Sequence, residues 1–453
     1  SQQEFDYPSG DQNVYTDYEG EGGVPISSAF RRVAYAWRID GYRQLFSGYF
    51  TPDSAIMFRR NIQERVRSVA PFLRYDRDPY PVLTDDGRIV YIIDAYTTSR
   101  AYPYSERYQG GLADFRGINY IRNSVKVVVD AYDGSMNFYV IDPEDPIVAT
   151  LESAFSGVFE PISDMPEGLR DHIRYPSDLL TIQAEMYSTY HMTDTQVFYQ
   201  REDVWEFATE RYRQGFQAVE PYYVMLQYPD EDEAEMILML PFTPANKNVI
   251  NAWMAGRSDY EHYGELTVYP LPKGVEVLGP RQIEARIDQN TDMSQSLSLW
   301  GQRGSEVVRG NLLAIPLFGD NEIYILYAEP IYLQAEDAQL PEIKRVALAD
   351  QDRVVWDENF DGAVRRLLGE LPATPGGPAG VQTSTQDGDP ETADTGTTAP
   401  AEAIEPGDTS ALLRRASEAF QRYQSLMADG RFEDAGQALA ELSDTLEQLE
   451  QTQ

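Results

Sequence analysis

RIVYIIDAY at residues 88–96 and KVVVDAYDGSMNFYVID at 126–142 decide the fold class. Both are dense in β-branched and aromatic residues, which favour a pleated, half-buried backbone. The first follows the turn sequence TDDG at 84–87. The second is interrupted by Asp133-Gly134, a dipeptide that readily supplies the positive φ of a tight hairpin. Together they predict an antiparallel sheet between about residues 80 and 140. YIIDAYTTS at 91–99 and VVVDAYDGS at 127–135 are alike, and each places Asp-Ala-Tyr at a strand end, as a duplicated strand–turn unit or a coincidence of nine residues.

Working outward, residues 1–26 are Gly-rich, acidic and Tyr-rich without periodicity and read as an extended or loop-like arm. Apolar positions three or four apart predict helices over 27–47 and 54–69. Helical spacing returns after the sheet in PIVATLESAFSGVF (146–159), MPEGLRDHI (165–173), SDLLTIQAEMYSTYH (177–191) and REDVWEFATERYR (201–213). Strands are predicted again at 222–226, 235–241, 265–270 and 275–278. A further pair, VVRGNLLAIPLFG (307–319) and EIYILYAEPIYL (322–333), is joined across Gly319-Asp320-Asn321. Helices and strands in blocks make the class α+β, mainly antiparallel sheets with packed helices, in a body spanning 27–370. That body is one unit or two subdomains, about 27–145 and 146–370. Residues 371–410, rich in Pro, Gly, Thr and Ala, read as a linker. Residues 411–453 carry two apolar helical stripes around Asp429-Gly430 and predict a C-terminal αα-hairpin.

Composition limits function. The 453 residues hold 74 acidic and 37 basic side chains, a net charge of −37 spread along the chain, which argues against nucleic acid or an anionic surface as partner. Apolar residues at 42% are too many for a disordered chain. The absence of cysteine excludes disulfides, thiolate metal sites and a cysteine nucleophile. No stretch is long and apolar enough to cross a bilayer, and no signal sequence is visible, so an opening at Ser1 inside a polar stretch reads as an excised part.

Long strings carry a resemblance: RNIQERVRSVAPFLRYDRDPYPV (60–82), DAYTTSRAYPYS (94–105), NYIRNSVKVVVDAYDGSMNFYVID (119–142), HIRYPSDLLTIQAEMYSTYHMTDTQVFYQREDVW (172–205), PFTPANKNVINAW (241–253), YGELTVYPLPKGVEVLGPRQIEARIDQ (263–289) and GSEVVRGNLLAIPL (304–317). Over about residues 23–370 the chain resembles the UPF0182 family of bacterial and archaeal multi-pass membrane proteins, and its final hairpin resembles that family's tail. The resemblance implies a soluble, extracytoplasmic region held in the cell membrane by transmembrane helices absent from this chain. It implies no activity, so no catalytic residue follows from it.

The residues themselves offer candidates. Asp130, Asp133, Asp142 and Asp145 surround one predicted hairpin and could offer oxygen ligands to a hard cation such as Ca2+, although no EF-hand spacing is present; no other cofactor is implied. Acids beside turns more often cap backbone or face water. The acidic run from Asp230 to Glu235 reads as a solvated loop. His191, followed by Asp194, and His172 could form a base and its orienter, against the plainer reading of hydrogen-bonded structural residues. Arg122, Asn123, Arg174 and Tyr175 could recognise an anionic ligand, with internal ion pairing as the competing role. The 31 tyrosines suit sugar or peptide binding, though tyrosine in strands is also ordinary packing material. No nucleophile motif, phosphate loop or nucleic-acid signature occurs. The sequence therefore favours a binding, sensing or assembly module, with envelope components or a protein docked on 411–453 as partners, ahead of an envelope hydrolase using carboxylates and a histidine.

Overall fold

The Ile89–Ser99 and Tyr120–Asp130 strands lie antiparallel, with Ile93 opposite Val127 and Asp94 opposite Lys126, and a bulge between Ala95 and Thr97. They form the centre of the first sheet in a computed structural model. The structure describes residues 4–369, apart from 11, 17, 40–53, 213–214, 230, 272–275, 302–304, 320–322 and 336–339. The predicted linker at 371–410 and hairpin at 411–453 lie outside the described residues.

The first sheet has six strands: Arg74–Tyr75 and Tyr80–Leu83 beside Ile89–Ser99, then Tyr120–Asp130, Met136–Val140 and, parallel to the last, Phe159–Pro161. Its central strands are apolar almost continuously because both faces are covered. On one face Ile93, Val125 and Val127 pack with Val66 and Val148 of the Ile62–Val69 and Pro146–Ala154 helices; on the other Ile92 and Val128 pack with Met165, Leu169 and Ile173. Gly134 closes the predicted hairpin with φ 73°, its N–H donating to the Asp130 carbonyl.

Two further antiparallel sheets of five strands follow. The second joins Trp205–Phe207, Tyr222–Leu226, Glu235–Pro244, Ala252–Arg257 and Leu266–Pro270. The third joins Ser305–Arg309, Leu313–Phe318, Ile323–Ala335, Glu342–Ala349 and Val354–Asp357, and its Phe318↔Ile323 register bears out the predicted hairpin pair. Helices Pro280–Gln289 and Thr291–Trp300 cover one face of the third sheet and Phe360–Leu367 the other. Nine helices and mainly antiparallel sheets among the described residues make this an α+β fold. One large core cluster holds Tyr96 and Phe115 together with Leu180 of the Ser177–Tyr190 helix and Phe242 and Trp253 of the second sheet, so residues before and after 145 share an interior.

Several expectations change. In the arm, strand Glu4–Ser9 pairs with Gln12–Thr16 and Val24–Pro25 pairs with Ala55–Ile56, so these parts of it are extended and strand-paired, and the 54–69 helix starts only at Ile62, where Asn61 caps it. Within REDVWEFATERYR the structure has two short strands in place of a helix: Trp205 and Phe207 are two apart, a strand spacing, and form an edge beside Glu235–Pro244, while Thr209–Tyr212 turns back on Gly215–Ala218. The two Asp-Ala-Tyr segments differ in role. Asp130 ends its strand and accepts the N–H groups of Tyr132 and Asp133, whereas Asp94 sits mid-strand in the interior. The 280–300 helices, signalled by Gly279-Pro280 and Asn290-Thr291-Asp292, escape the periodicity reading because their apolar stripe is narrow.

Candidate functional site

Between the two central strands of the first sheet, residues 100–119 leave the sheet and return. Asn119 holds this excursion: its amide donates to the carbonyls of Tyr102 (2.8 Å) and Ser105 (3.2 Å), and its carbonyl oxygen accepts the Tyr102 N–H (3.0 Å). The fold of the loop presents Tyr104 to solvent completely, at φ 58°, a left-handed conformation that costs a non-glycine residue about 1–2 kcal/mol. Tyr102 stacks on Tyr120 with centroids 5.7 Å apart. Tyr120 in turn donates to Asp145 (2.7 Å), which fixes its ring; burial and that carboxylate push its hydroxyl up to about 12.

The facing wall is the Ser177–Tyr190 helix, whose Ile182, Met186 and Tyr190 recur every four residues, with Met254 and Leu266 of the second sheet beneath. Tyr190 donates to Glu106 (2.8 Å) across the opening. The result is a cleft of about 590 Å3 walled by tyrosine rings and apolar side chains. Flat rings with hydrogen-bonded tips suit an extended chain or a sugar face.

The other end of the same helix closes a buried polar network. Lys126, without exposed surface, donates to Asp94 and to the Arg174 carbonyl (2.7 Å), and lies over the Tyr263 ring at 4.6 Å. Burial pushes Asp94 up and Lys126 down, and the direct contact between the two partly offsets both shifts. Asp76 accepts from Tyr96, from the Asp178 N–H (3.0 Å) and from the Asp78 N–H (2.9 Å). Burial, with Asp178 and Asp94 nearby, pushes Asp76 up to about 7. Asp178 takes both the backbone and the guanidinium of Arg77. This network opens on a second, acidic cleft of about 700 Å3 that Asp76, Asp78, Asp178, Glu185 and Glu220 line.

The sequence candidates are distributed among these places. Asp194 caps the Thr195–Gln200 helix by accepting from the N–H groups of Gln196 and Val197, and so does not orient His191. His191 is stacked on Trp205 at 3.7 Å, its Nδ1 is 3.1 Å from the Tyr187 carbonyl, and its nearest carboxylate is Asp203 at 3.9 Å. His172 is exposed and bonds the Gly168 carbonyl. Asp130 and Asp133 face Arg88, and Asp142 faces Arg122. Asp145 caps the Pro146–Ala154 helix: burial would raise its pKa, but donation from Ser124, Thr97, Tyr120 and the Ile147 N–H outweighs this and holds it below the usual value. Among the described residues no three His, Asp or Glu are grouped to hold a metal ion. Glu235, read as solvated, is buried against Arg257 (2.7 Å).

Of the anion-binding candidates, Arg122 is ion-paired, and Asn123 donates to Asp94 (3.0 Å) and accepts from Tyr263 (2.6 Å). Arg174 lies over the Tyr80 and Tyr223 rings at 4.3 and 5.3 Å. Tyr175 is buried, donates to Gln183 (2.7 Å) and packs so closely on Gly256 that a Cβ there would lie 2.5 Å from its ring. Neither Tyr102, Tyr104 and Tyr190 nor Asp76, Asp94, Lys126 and Asp178 are site candidates by sequence alone. Their signals are the dense YPYSERY string at 102–108 and a lysine inside the apolar run SVKVVV, which only a buried partner can accommodate.

No solved structure matches the chain. It is 51% identical to a UPF0182 protein of Sulfurovum sp. over 82% of this chain and 40% of that protein, and 46% identical to one of Desulforamulus reducens over 99% and 46%. An archaeal relative, from Methanospirillum hungatei, is 49% identical over 81% and 40%. The chain thus spans less than half the length of these curated relatives. With residues 1–300 also matching the model of the uncharacterised protein family UPF0182, the chain belongs to that family.

Proposed function

We propose that this chain is the extracytoplasmic part of an integral membrane protein and works there as a binding, sensing or assembly module, with the tyrosine-lined cleft as its ligand face. The observation that carries the reading is Tyr104, held fully exposed in a left-handed conformation at the rim of that cleft. Backbone strain persists where function maintains it. The ligand class is an extended peptide or glycan of the envelope. Titration calorimetry with muropeptide fragments tests it: binding to the chain, weakened more than about tenfold in Tyr102→Ala/Tyr104→Ala, supports the reading. No heat from any fragment, or binding unaffected by the double variant, removes the cleft from it. Residues 411–453, whose sequence predicts a helical hairpin, are proposed as the docking element for a protein partner, and their deletion should abolish complex formation without affecting the cleft.

Asp76 supports a second reading, an envelope hydrolase. A carboxyl raised to about 7 at the wall of an acidic cleft has the protonation behaviour of a general acid. The histidines contribute nothing to that cleft's lining. Turnover of peptidoglycan by the chain, lost in Asp76→Asn with folding retained, is its signature.

A further inference from the structure

The Ala29–Ile39 helix, AFRRVAYAWRI, turns its apolar stripe outward. Phe30 is 82% exposed, Val33 57% and Trp37 89%, and Ala34 beside them is also exposed. These positions, i, i+3, i+4 and i+7, are the stripe that a helix of a folded domain normally buries. Here the opposite face holds the body: Arg32 donates to the Ile26 carbonyl (2.9 Å), and Tyr35 contacts Phe58 with centroids 5.6 Å apart. Arg31 and Arg38, both exposed, flank the stripe along one side.

Charge identifies the occupant. Residues 28–40 and 53–70 hold Arg31, Arg32, Arg38, Arg59, Arg60, Arg65 and Arg67 against three acids, Asp40, Asp53 and Glu64, in a chain of net charge −37. The two segments are joined by the Val24–Pro25 and Ala55–Ile56 strand pair and by the Tyr35–Phe58 contact, so Arg31, Arg32, Arg38, Arg59 and Arg60 share one region, with Arg59 3.9 Å from Glu64, while Arg65 turns away to the Gly134 carbonyl. The overall charge, taken alone, repels an anionic surface. Salt screens charges beyond about 10 Å, however, so the local cluster decides what a contacting surface experiences.

We propose that the Ala29–Ile39 helix lies in the headgroup layer of an anionic lipid bilayer, with Phe30, Val33 and Trp37 inserted among acyl chains and Arg31 and Arg38 against lipid phosphates. Aromatic residues on one face and arginines beside them are the composition of an interfacial helix. The helix orients the body on the bilayer whether or not the chain is tethered by a transmembrane part.

Co-sedimentation of the 453-residue chain with vesicles of phosphatidylcholine, with and without phosphatidylglycerol, tests the proposal. Binding should require phosphatidylglycerol, weaken with added salt, and fall roughly 25-fold in Arg31→Gln/Arg38→Gln, about fivefold per arginine. Phe30→Ser/Trp37→Ser should abolish it, with circular dichroism unchanged because both side chains are exposed. Trp37 is the exposed one of five tryptophans, so brominated lipid should quench wild-type fluorescence and spare Trp37→Phe. No phosphatidylglycerol-dependent binding, or binding that neither double variant alters, overturns the proposal. So does a dimer in solution that Phe30→Ser/Trp37→Ser converts to monomer, since a second copy would then cover the stripe. Tethering is read separately, by fractionating the longer membrane protein, so the two ideas fail independently.

Discussion

At its first turn the Ser177–Tyr190 helix closes a network in which Asp178, Asp76, Asp94 and Lys126 all meet protein partners, whereas along its later turns Ile182, Met186 and Tyr190 line an open cleft. The two regions share strands and helix, and Tyr175 bonding Gln183 links them. They differ in what burial demands. A charge withdrawn from water must be matched nearby, so ionisable groups in this interior act as crosslinks. A tyrosine can bond its hydroxyl to a neighbour and still offer its ring. Around this helix the charged groups are thus engaged by protein partners even where Asp76 and Asp178 reach the wall of the acidic cleft, and the other cleft offers aromatic rings.

Breaking the closed region should have the largest effect. Lys126→Met leaves Asp94 buried without its cation and should cost about 3–5 kcal/mol in urea unfolding, part of it recovered in Lys126→Met/Asp94→Asn. A cost below about 1 kcal/mol would mean that water reaches the pair. Asp145→Ala, which removes a helix cap and the acceptor of three hydroxyls, should cost about 2 kcal/mol.

The pH dependence is smaller and has a defined sign. Asp76 and Glu284, both pushed up to about 7 chiefly by burial, bind protons in the native state over a window where the unfolded chain, with ordinary values of 3.8 and 4.5, has released them. Their contribution is fully present below those ordinary values and is lost as pH rises through 7. Each adds a slope of up to about 1.4 kcal/mol per pH unit, with stability decreasing as pH increases. Unfolding measured between pH 5 and 7.5 should show a shallower slope in Asp76→Asn. An unchanged slope would mean that Asp76 stays ionised. Asp145, held low, acts in the opposite sense and only at more acidic pH. Smallest of all, Tyr104→Gly should be neutral or stabilising by up to about 1 kcal/mol, because it relieves the left-handed backbone and removes no buried contact.

The first sheet was legible because RIVYIIDAY and KVVVDAYDG combine strand composition with turn dipeptides, and local chemistry suffices for a hairpin. The 201–213 stretch was misread since Asp203 ahead of two aromatics resembles a helix start, while its strand state depends on an edge supplied by residues 235–244. The site was less visible for the same reason. His191 and Asp194 are neighbours in sequence, but Asp194 is committed to its own helix and His191 to Trp205. Asp76 and Asp178 come together across 102 residues, and Tyr102 meets Tyr190's side of the cleft only through the helix packing. Sequence spacing shows partners within a turn or a helix face, and tertiary packing sets the rest.

The most direct measurement is calorimetric titration of muropeptide fragments into the wild-type chain, Tyr102→Ala/Tyr104→Ala and Lys126→Met/Asp94→Asn under conditions where all three are folded. Binding that is lost in the tyrosine variant and retained in the network variant is the expected result. Binding that survives loss of the tyrosines but disappears with the Asp94–Lys126 pair would place the function in the closed region and contradict the assignment of the open cleft.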